Sequence, residues 1–391
     1  MKCYRQCPVC SSRNGMLLHT IKYPAEPDRI LPVEYRIMSC SECGMVFDDF
    51  DADESVFARH YQSDGKYEME VSSGAGGTSE RDRLRWEKIA SFLMPYLPDP
   101  AAAIVDIGAG KGGLLRYLLG EGYTDLTAVD ASPNCIRYIR EHSGIHAVCS
   151  DLNQLALDRK FDAVIFAQTL EHIYCCVESL AKIRELLSDD GILYLEVPDA
   201  GRYLEYQKMP FYYFDHEHIN HFQRTSLETL LQRNGFEIIS ISQFEIENSP
   251  GFFTPHLAAA ARKNRAVQPG KTGKNDFRPL QKYVEESMLR DESLFHYDCG
   301  EKTGYLWGVG AFCLRLLEKG TFSNLDLAGL IDRDPKKQGT EIQGLVIYSP
   351  EVLLRSDPEK TFVLITTSLY EDEIRKQLQE MGYSGEIVTL S

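Results

Sequence analysis

The chain has 391 residues, of which 43% are hydrophobic, and this length and composition favour two or three domains with sizeable apolar cores. Its 42 Lys and Arg residues stand against 58 Asp and Glu residues, and the formal net charge of −16 disfavours nucleic acids and anionic membranes as partners. No apolar run approaches the ~18 residues of a membrane span and the first residues lack an apolar signal core, so we predict a cytoplasmic protein that binds neither nucleic acid nor membranes.

Four of the eleven cysteines form two Cys-x-x-Cys pairs near the beginning of the chain, Cys7 with Cys10 and Cys40 with Cys43. Four thiolates in this spacing can enclose a tetrahedral zinc ion, so we predict a structural zinc site in a domain that covers residues 1–60. A redox role is the alternative, and it would need one exposed reactive pair. Because acidic residues cluster just after the second pair, we expect this domain to contact substrate rather than nucleic acid.

Two tyrosines, Tyr61 and Tyr67, precede the central part of the chain. Aromatic side chains just upstream of a cofactor site could fold over the cofactor, and surface aromatics in a linker are the alternative. The apolar face of residues 80–94 then predicts a helix.

The centre of the chain begins with a strand, a glycine-rich loop and a helix. The stretch of residues 103–115 begins with a short apolar strand that ends in an acid, Asp106, and a leucine-rich helix follows the glycines. Glycines let backbone N–H groups approach a ligand that a Cβ would block. The residues predicted to contact a cofactor here are Asp106, Gly108, Ala109, Gly110 and Gly112.

Four further strands follow, and polar residues stand at their ends. The second strand ends about twenty residues after the glycines in an acid, where a ribose diol would be held. Leu170-Glu171-His172 comes after the fourth strand, and the fifth strand covers residues 191–198. The residues at the ends of the second, third and fourth strands that we predict to complete the cofactor site are Asp130, Asp151, Leu152 and Gln168.

This succession resembles the class I S-adenosylmethionine-dependent methyltransferases. The resemblance rests on Asp-x-Gly-x-Gly-x-Gly at the first strand, acids after the second and third, and Leu-Glu-His after the fourth. It implies S-adenosylmethionine as the cofactor. A dehydrogenase-type Rossmann domain is the alternative, because both classes share a glycine-rich loop.

Residues 209–222 are rich in aromatic and ionisable side chains. They follow the fifth strand and precede a capping-box match, Thr225-Ser226-Leu227-Glu228, which predicts the start of a helix. The segment would therefore lie at the carboxyl side of the sheet, where ligands bind in such folds. We predict a catalytic cluster here. Polar loop packing and a second metal site formed by His216, His218 and His221 are the alternatives.

The last third of the chain contains a second strand–glycine–helix pattern. Residues 236–246 and 252–262 first predict an antiparallel hairpin that completes the central sheet, and residues 265–274 predict a linker. Gly308-Val309-Gly310 and the strands after it then predict a smaller Rossmann-like domain. Because the third glycine of the dinucleotide fingerprint is absent, independent nicotinamide binding is disfavoured. A crevice that faces the substrate of the central domain is favoured.

This order of domains resembles the three-domain C-methyltransferases that act on nucleotide-linked deoxysugars. The resemblance implies an α/β fold, with a class I methyltransferase Rossmann-like core, an N-terminal zinc ribbon and a smaller C-terminal Rossmann-like domain. The corresponding domains here are residues 1–60, 61–265 and 266–391. In that family a histidine after the fourth strand and a Tyr-x-Glu-His group line the sugar site, and an upstream tyrosine closes over it.

The resemblance also implies the site residues. His172, Glu217 and His218 match the family pattern, and Tyr67 or Tyr61 matches the upstream tyrosine. Asp215 stands where the family has the tyrosine of Tyr-x-Glu-His, which leaves open the group that abstracts the proton. The predicted catalytic residues are His172, Asp215, His216, Glu217, His218 and Tyr67.

Methylation at carbon sets chemical requirements, because carbon becomes a nucleophile only after losing a proton beside a carbonyl. A base must take the proton and a donor must hold the enolate oxygen. We assign His218 as the base, Glu217 as its orienting partner and His172 or His216 as the donor, with Asp215 as the alternative base. A 4-keto nucleotide sugar methylated at C3 meets these requirements.

Three other functions compete with sugar C-methylation: O-methylation of a sugar or another small molecule, RNA methylation, and zinc-dependent binding without catalysis. O-methylation would need only one base and no ketone. RNA methylation would need a basic face, and a binding protein would be expected to lack the complete cofactor loop. The sequence indicates no oligomeric state.

Overall fold

The computed structural model describes residues 1–26, 29–63, 80–207, 209–249, 251–264, 274–293, 295, 297–367 and 370–390. The chain divides into two compact units. The first comprises Met1–Leu17, Met38–Tyr206 and Glu217–Leu280, and the second comprises Leu18–Ile37, Gln207–His216 and Gln281–Ser391. This division differs from the predicted boundaries at residues 60 and 265, because the chain leaves the first unit and returns to it twice. Both cysteine pairs therefore share a unit with the central strands.

The helices and strands follow one another in three groups. The first group is β1 Gly15–Lys22, β2 Glu34–Cys40, β3 Val46–Asp49, α1 Glu54–Ser63 and α2 Glu80–Leu93. The second is β4 Ala103–Ile107, α3 Gly113–Gly120, β5 Asp125–Asp130, α4 Pro133–His142, β6 His146–Cys149, β7 Phe161–Ala167, α5 Cys176–Leu186, β8 Leu187–Pro198, β9 Asn220–His221, α6 Arg224–Arg233, β10 Phe236–Ser249 and β11 Phe252–Lys263. The third is α7 Arg278–Ser293, β12 Thr303–Trp307, α8 Ala311–Lys319, β13 Leu327–Ile331, β14 Glu341–Ile342, β15 Leu345–Tyr348, β16 Thr361–Ile365, α9 Glu371–Glu380 and β17 Glu386–Thr389.

A seven-stranded sheet in the order β10-β11-β8-β7-β4-β5-β6 forms the core of the first unit. β4 to β8 are parallel, whereas β11 pairs antiparallel with both β8 and β10. Every residue of β4 is buried, as expected for a parallel strand covered on both faces. The predicted α/β fold with a parallel central sheet and an antiparallel hairpin is therefore confirmed.

The strand order brings three loops together at the carboxyl edge of this sheet. β4 lies between β5 and β7, with Asp106 opposite Ala128 on one side and Ile165 on the other. The glycine loop after β4, the end of β5 and the segment after β7 are consequently neighbours. This edge is where ligands bind in open α/β sheets.

Helix α6 starts two residues earlier than the capping box predicts, because Gln223 rather than Thr225 is the N-cap. It begins at Arg224, and the Gln223 N–H donates to Ser226 Oγ at 2.9 Å. Glu228 is not part of a cap, because its carboxylate pairs with Arg224 at 2.9 Å on the surface. The predicted end is confirmed by Asn234, which caps the helix.

A four-stranded sheet in the order β1-β2-β3-β9 contains a pairing that the sequence does not indicate. The two-residue strand β9 lies antiparallel to β3, with Val46 opposite His221 and Phe47 opposite Asn220. The strand that follows the second cysteine pair is thus joined by backbone hydrogen bonds to residues 209–222, which we call the histidine-rich segment.

The second unit contains a six-stranded sheet in the order β14-β15-β13-β12-β16-β17. Its strands are parallel except for the short antiparallel pair β14–β15. The strands predicted in the last third of the chain correspond to β12, β13, β15, β16 and β17. Within the described ranges, no helix has the length and apolar character that crossing a membrane requires.

Candidate functional site

The loop after β4 requires glycine at two positions. Gly108 and Gly112 have φ angles of +78° and +73°, which side chains rarely adopt. A Cβ on Gly108 would lie 2.3 Å from Thr169 Oγ1, and one on Gly112 would lie 2.9 Å from Ile139 Cγ1. The loop can therefore pack closely against the segment after β7 and against α4 only because it has no side chains there.

Asp130 ends β5 and anchors the glycine loop. Its Oδ2 accepts a hydrogen bond from the Gly110 N–H at 2.8 Å, and its Oδ1 accepts one from the Ser132 N–H at 2.8 Å. Burial raises the pKa of Asp130 to about 6 despite these hydrogen bonds. Burial and the charge of Asp130 also raise the pKa of Asp106 to about 7. Each oxygen of Asp130 keeps a second lone pair, which can accept a hydrogen bond from a ribose hydroxyl.

The other residues predicted for the cofactor site lie after β6 and β7. Asp151 accepts a hydrogen bond from the Gln154 N–H at 2.9 Å, and Leu152 is buried in the apolar core. Gln168 has a φ of +50°, and its N–H donates to the Glu196 carbonyl at 2.8 Å. Left-handed backbone at a non-glycine residue is often found at functional sites. The roles of these residues in binding remain predictions.

A buried charge network next to Gln168 was missed by the sequence analysis. Glu196 is fully buried, and its carboxylate lies 3.0 Å from His256 Nδ1 and 3.4 Å from Arg85 Nη2 while accepting the Tyr194 hydroxyl at 2.7 Å. Burial alone would raise the pKa of Glu196, but Arg85, His256 and Tyr194 outweigh it and lower the pKa to about 2. The available signal was an acidic residue within the apolar run of β8.

The short turn after β7 places His172 beside Tyr61 and His218. Tyr61 Oη lies 3.0 Å from His172 Nδ1, and the Glu217 carbonyl oxygen lies 3.1 Å from the same nitrogen. The rings of His172 and His218 are 4.8 Å apart, with 74° between their planes. Among the described residues, Tyr61 is the predicted upstream tyrosine that contacts this group; Tyr67 lies outside the described residues and stays a prediction.

Glu171 adds a buried carboxyl group to the two imidazoles. It is 1% exposed, neither of its carboxyl oxygens has a hydrogen-bond partner among the described residues, and Oε1 lies 4.0 Å from His172 Nε2. Burial raises the pKa of Glu171 to about 7, although the charge of His218 opposes this. The motif Leu170-Glu171-His172 predicted no separate role for Glu171. We define the histidine cluster as Tyr61, Glu171, His172, Glu217 and His218.

We expect Glu171→Gln to stabilise the protein above neutral pH. Because the pKa of Glu171 is raised on folding, ionisation of its carboxyl group costs folding free energy as the pH rises from about 4.5 to 7. The Glu171→Gln variant avoids this cost, on the order of a few kcal/mol, so its thermal midpoint should exceed that of the wild type at pH 8.5 and approach it near pH 5.

Thermal unfolding between these pH values measures the effect, with Glu178→Gln on an exposed position of α5 as the matched control. A wild-type midpoint at pH 8.5 equal to that of Glu171→Gln would mean that the carboxyl group is solvated.

The carboxylate of Glu217 has a partner that the sequence analysis did not name. Glu217 is buried, and its Oε1 lies 3.7 Å from Nε2 of His60, which belongs to α1 together with Tyr61. Helix α1 thus contributes two side chains to the surroundings of Glu217 and His172. The predicted pairing of Glu217 with His218 remains a prediction.

Asp215 and His216 belong to the second unit, whereas Glu217 and His218 belong to the first. In the second unit the His216 ring packs edge-on against Tyr23, with centroids 5.6 Å apart. Burial raises the pKa of Tyr23 to about 12, and the charge of Asp215 contributes. His221 is fully buried with Nε2 3.2 Å from Asp48 Oδ1, which gives it a structural partner and argues against its role in a second metal site.

The four cysteines converge as the sequence predicts. Sγ of Cys7 lies 3.6 Å from Sγ of Cys43, and Sγ of Cys10 lies 3.5 Å from Sγ of Cys40. A tetrahedral zinc with Zn–S bonds of about 2.3 Å needs sulfurs about 3.8 Å apart. Both pairs form equivalent turns, in which the fourth residue after Cys7 and after Cys40 donates its N–H back to the cysteine carbonyl at 2.9 Å. The thiols therefore fit a tetrahedral ion.

Comparisons with known proteins identify part of the chain. Residues 79–241 match a family model described as a methyltransferase domain, and residues 303–388 match one described as C2185-like, N-terminal. The malonyl-[acyl-carrier protein] O-methyltransferase of Acetivibrio thermocellus is 32% identical over 115 residues, which cover 27% of this chain and 40% of the relative. The tRNA U34 carboxymethyltransferase of Aeromonas hydrophila is 29% identical over 133 residues, which cover 32% of this chain and 40% of the relative.

Among solved structures, the 1,6-didemethyltoxoflavin-N1-methyltransferase of Burkholderia thailandensis is 20% identical, with a TM-score of 0.44 over 57% of this chain and 96% of that chain. The chain spans about two fifths of the length of these two curated relatives, because the matched residues make up 40% of each. Residues 79–241 form a class I S-adenosylmethionine-dependent methyltransferase domain, which confirms that prediction for the central part of the chain.

We expect Asp130→Asn to weaken S-adenosylmethionine binding about tenfold to hundredfold, because hydrogen bonds to a charged acceptor contribute about 1.5–3 kcal/mol. An amide also cannot accept from Gly110 and Ser132 on two separate oxygens. Calorimetric titration measures the effect, and Asp125→Asn at the half-buried start of the same strand, where Asp125 pairs with Arg159, is the matched control. Equal affinities in both variants would exclude Asp130 from cofactor binding.

Proposed function

We propose that this chain transfers a methyl group from S-adenosylmethionine to a carbon of a nucleotide-linked keto-deoxysugar through an enolate. The position of the histidine cluster next to the glycine loop carries the proposal. Thr169 Oγ1 donates to the Ile107 carbonyl at 3.3 Å at the end of β4, and the turn that holds His172 begins at the following residue. A substrate atom held by the cluster would accordingly lie close to the cofactor loop.

The chemistry of the cluster favours carbon as the methyl acceptor. Bound S-adenosylmethionine would supply an electrophilic methyl group, held by the glycine loop, Asp106 and Asp130. Methylation of a hydroxyl needs one base, whereas enolate formation needs a base and a separate donor. Two imidazoles beside a buried carboxyl group supply both functions.

Each imidazole has a proposed role. His218 takes the proton from the carbon beside the ketone, with Glu217 as its orienting partner. Nδ1 of His172 is engaged by Tyr61 and the Glu217 carbonyl, and we assign Nε2 as the donor to the enolate oxygen. The carboxyl group of Glu171 adjoins this donor, with Oε1 4.0 Å from Nε2. Asp215 is the alternative base, and His216 is the alternative donor.

We also propose that the four cysteines hold a structural zinc ion. Their sulfur separations of 3.5 and 3.6 Å support a tetrahedral ion, and none of the four is exposed as a redox site would require. When bound, the ion would supply folding free energy to the N-terminal segment.

A small acceptor is favoured over RNA, although some relatives act on tRNA. The net charge of −16 repels a polyanion, whereas a nucleotide sugar carries only about two phosphate charges that a local site can neutralise.

The test is to incubate the zinc-loaded protein with S-adenosylmethionine and a panel of 4-keto-6-deoxy nucleotide sugars, and to measure product masses. The expected result is the gain of one methyl group that resists mild hydrolysis. In deuterium oxide with S-adenosylhomocysteine, we expect washout of the proton beside the ketone. A methyl gain without washout would establish O-methylation instead. Methylation of tRNA but of no sugar would overturn the proposal.

A further inference from the structure

We propose that Asn220 and Arg5 are positioning residues for the histidine cluster, so that the cysteine-rich N-terminal segment supports catalysis mechanically. The kinetic consequence rests on the proposed function, whereas the structural consequence can be measured without any substrate. All the contacts involved lie within the first unit.

The side chain of Asn220 holds the turn that carries His172. Asn220 is 2% exposed, and its Nδ2 donates to the carbonyls of Ile173 at 2.7 Å and Leu170 at 3.0 Å, with the Glu171 carbonyl at 3.4 Å. One amide group therefore serves the carbonyls on both sides of His172. Without it, these buried carbonyls would lose a donor, which is costly away from water.

Arg5 determines which way this amide points. Its Nη2 donates to Asn220 Oδ1 at 2.8 Å and to the Tyr174 carbonyl at 3.2 Å, and its guanidinium carbon lies 4.8 Å from the Tyr174 ring centre. Because a guanidinium can only donate hydrogen bonds, it selects the amide orientation in which oxygen faces Arg5 and nitrogen faces the turn. Arg5 itself is 1% exposed and lies two residues before Cys7.

The backbone connects the same parts. The Asp48 N–H donates to the Ile219 carbonyl at 2.9 Å, and the Ile219 N–H donates to the Glu171 carbonyl at 2.9 Å. Asp49 in turn accepts the Arg5 N–H at 2.9 Å. A continuous set of hydrogen bonds thus runs from Arg5, ahead of the first cysteine pair, and from β3 to the Glu171 turn and to the residue after His218.

This arrangement gives Asn220 an effect on reaction geometry beyond its effect on stability. Asn220 is two residues after His218 and hydrogen bonds around His172, so its side chain sets the separation of the two imidazoles. Misplacement of reacting groups by about 1 Å can cost about 100-fold in rate. The cysteine-rich N-terminal segment holds this side chain in place through the hydrogen bond from Arg5.

The test compares Asn220→Asp, which keeps an acceptor for Arg5 but loses the donors, with Asn234→Ala as the matched control. Asn234 Nδ2 also donates to a backbone carbonyl, Leu230 at 2.7 Å, but at the end of α6. For Asn220→Asp we expect kcat to fall about 100-fold and the rate-against-pH profile to shift, with the dissociation constant for S-adenosylmethionine within about twofold. Asn234→Ala should lose stability without either change.

A second variant and a second readout keep the test decisive. Arg5→Lys keeps the charge but not the planar fork, and we expect about a tenfold loss of kcat. Histidine NMR titration of the full chain should show a changed pKa for His172 in both variants, with the exposed His142 as the internal reference. An unchanged His172 titration together with an unchanged kcat would overturn the inference. If the wild type methylates no keto-sugar, the proposed function fails, and the His172 titration still decides the role of Asn220.

Discussion

Replacing His218 with alanine is expected to lower kcat about 1,000-fold, since a positioned general base contributes about 10²- to 10⁴-fold to a rate. The His218 ring lies 4.8 Å from His172, and the remaining members of the histidine cluster are two buried carboxyl groups and a tyrosine hydroxyl. The dissociation constant for S-adenosylmethionine should change by less than about twofold, because none of the residues predicted to contact the cofactor belongs to the histidine cluster. Steady-state kinetics and calorimetry measure the two quantities separately.

Two further variants control this experiment. His142→Ala removes an exposed histidine from α4 and should leave both quantities unchanged. Asp215→Asn tests the alternative base at the position where the resembled family has tyrosine. If Asp215→Asn loses activity and His218→Ala keeps it, Asp215 is the base. Full activity in both variants would contradict the enolate mechanism as assigned.

Replacing Cys40 with serine is expected to abolish zinc binding and to lower the thermal midpoint by on the order of 10 °C, because structural zinc supplies much of the folding free energy of small metal-binding segments. The loss should spread beyond the cysteines. Cys40 ends β2, and β3 just after it pairs with β9 of the histidine-rich segment. We therefore expect methyl transfer to be lost together with the metal.

Cys149→Ser is the matched control, because Cys149 is exposed at the end of β6. It should bind one zinc ion per chain and unfold like the wild type. Mass spectrometry measures the zinc content of both variants, and calorimetry measures their thermal midpoints. A Cys40→Ser protein that keeps one zinc ion per chain would contradict the four-cysteine site.

Much of the cofactor region could be predicted because its features are local. The strand before Asp106, the glycines at 108 and 112 and the acid at the end of β5 are each recognisable within a few consecutive residues. Their backbone requirements are also local, as the φ angles of +78° and +73° show.

The cluster could be predicted only in part. Sequence patterns identified His172, Glu217 and His218, but they left Tyr61 and Tyr67 equivalent, and the structure describes a contact for Tyr61 alone. Patterns also treated residues 209–222 as one loop, whereas the chain passes from one unit to the other between His216 and Glu217. The start of α6 was predicted too late in the chain, because the pattern that begins at Thr225 does not reveal that Gln223 is the N-cap.

The sequence by itself determined the succession of methyltransferase-type strand ends along the chain, the residues that form the glycine loop and the two cysteine pairs, since each depends on spacing along a short stretch of chain. Only the tertiary structure decided the burial of Glu171, the contact of Tyr61 with His172 and the link between Arg5 and Asn220, which are 215 residues apart. The physical reason is that burial and hydrogen bonding between distant residues depend on how whole elements pack. No local pattern records that a polar side chain such as Asn220 is fully enclosed and has its donors directed at one particular turn.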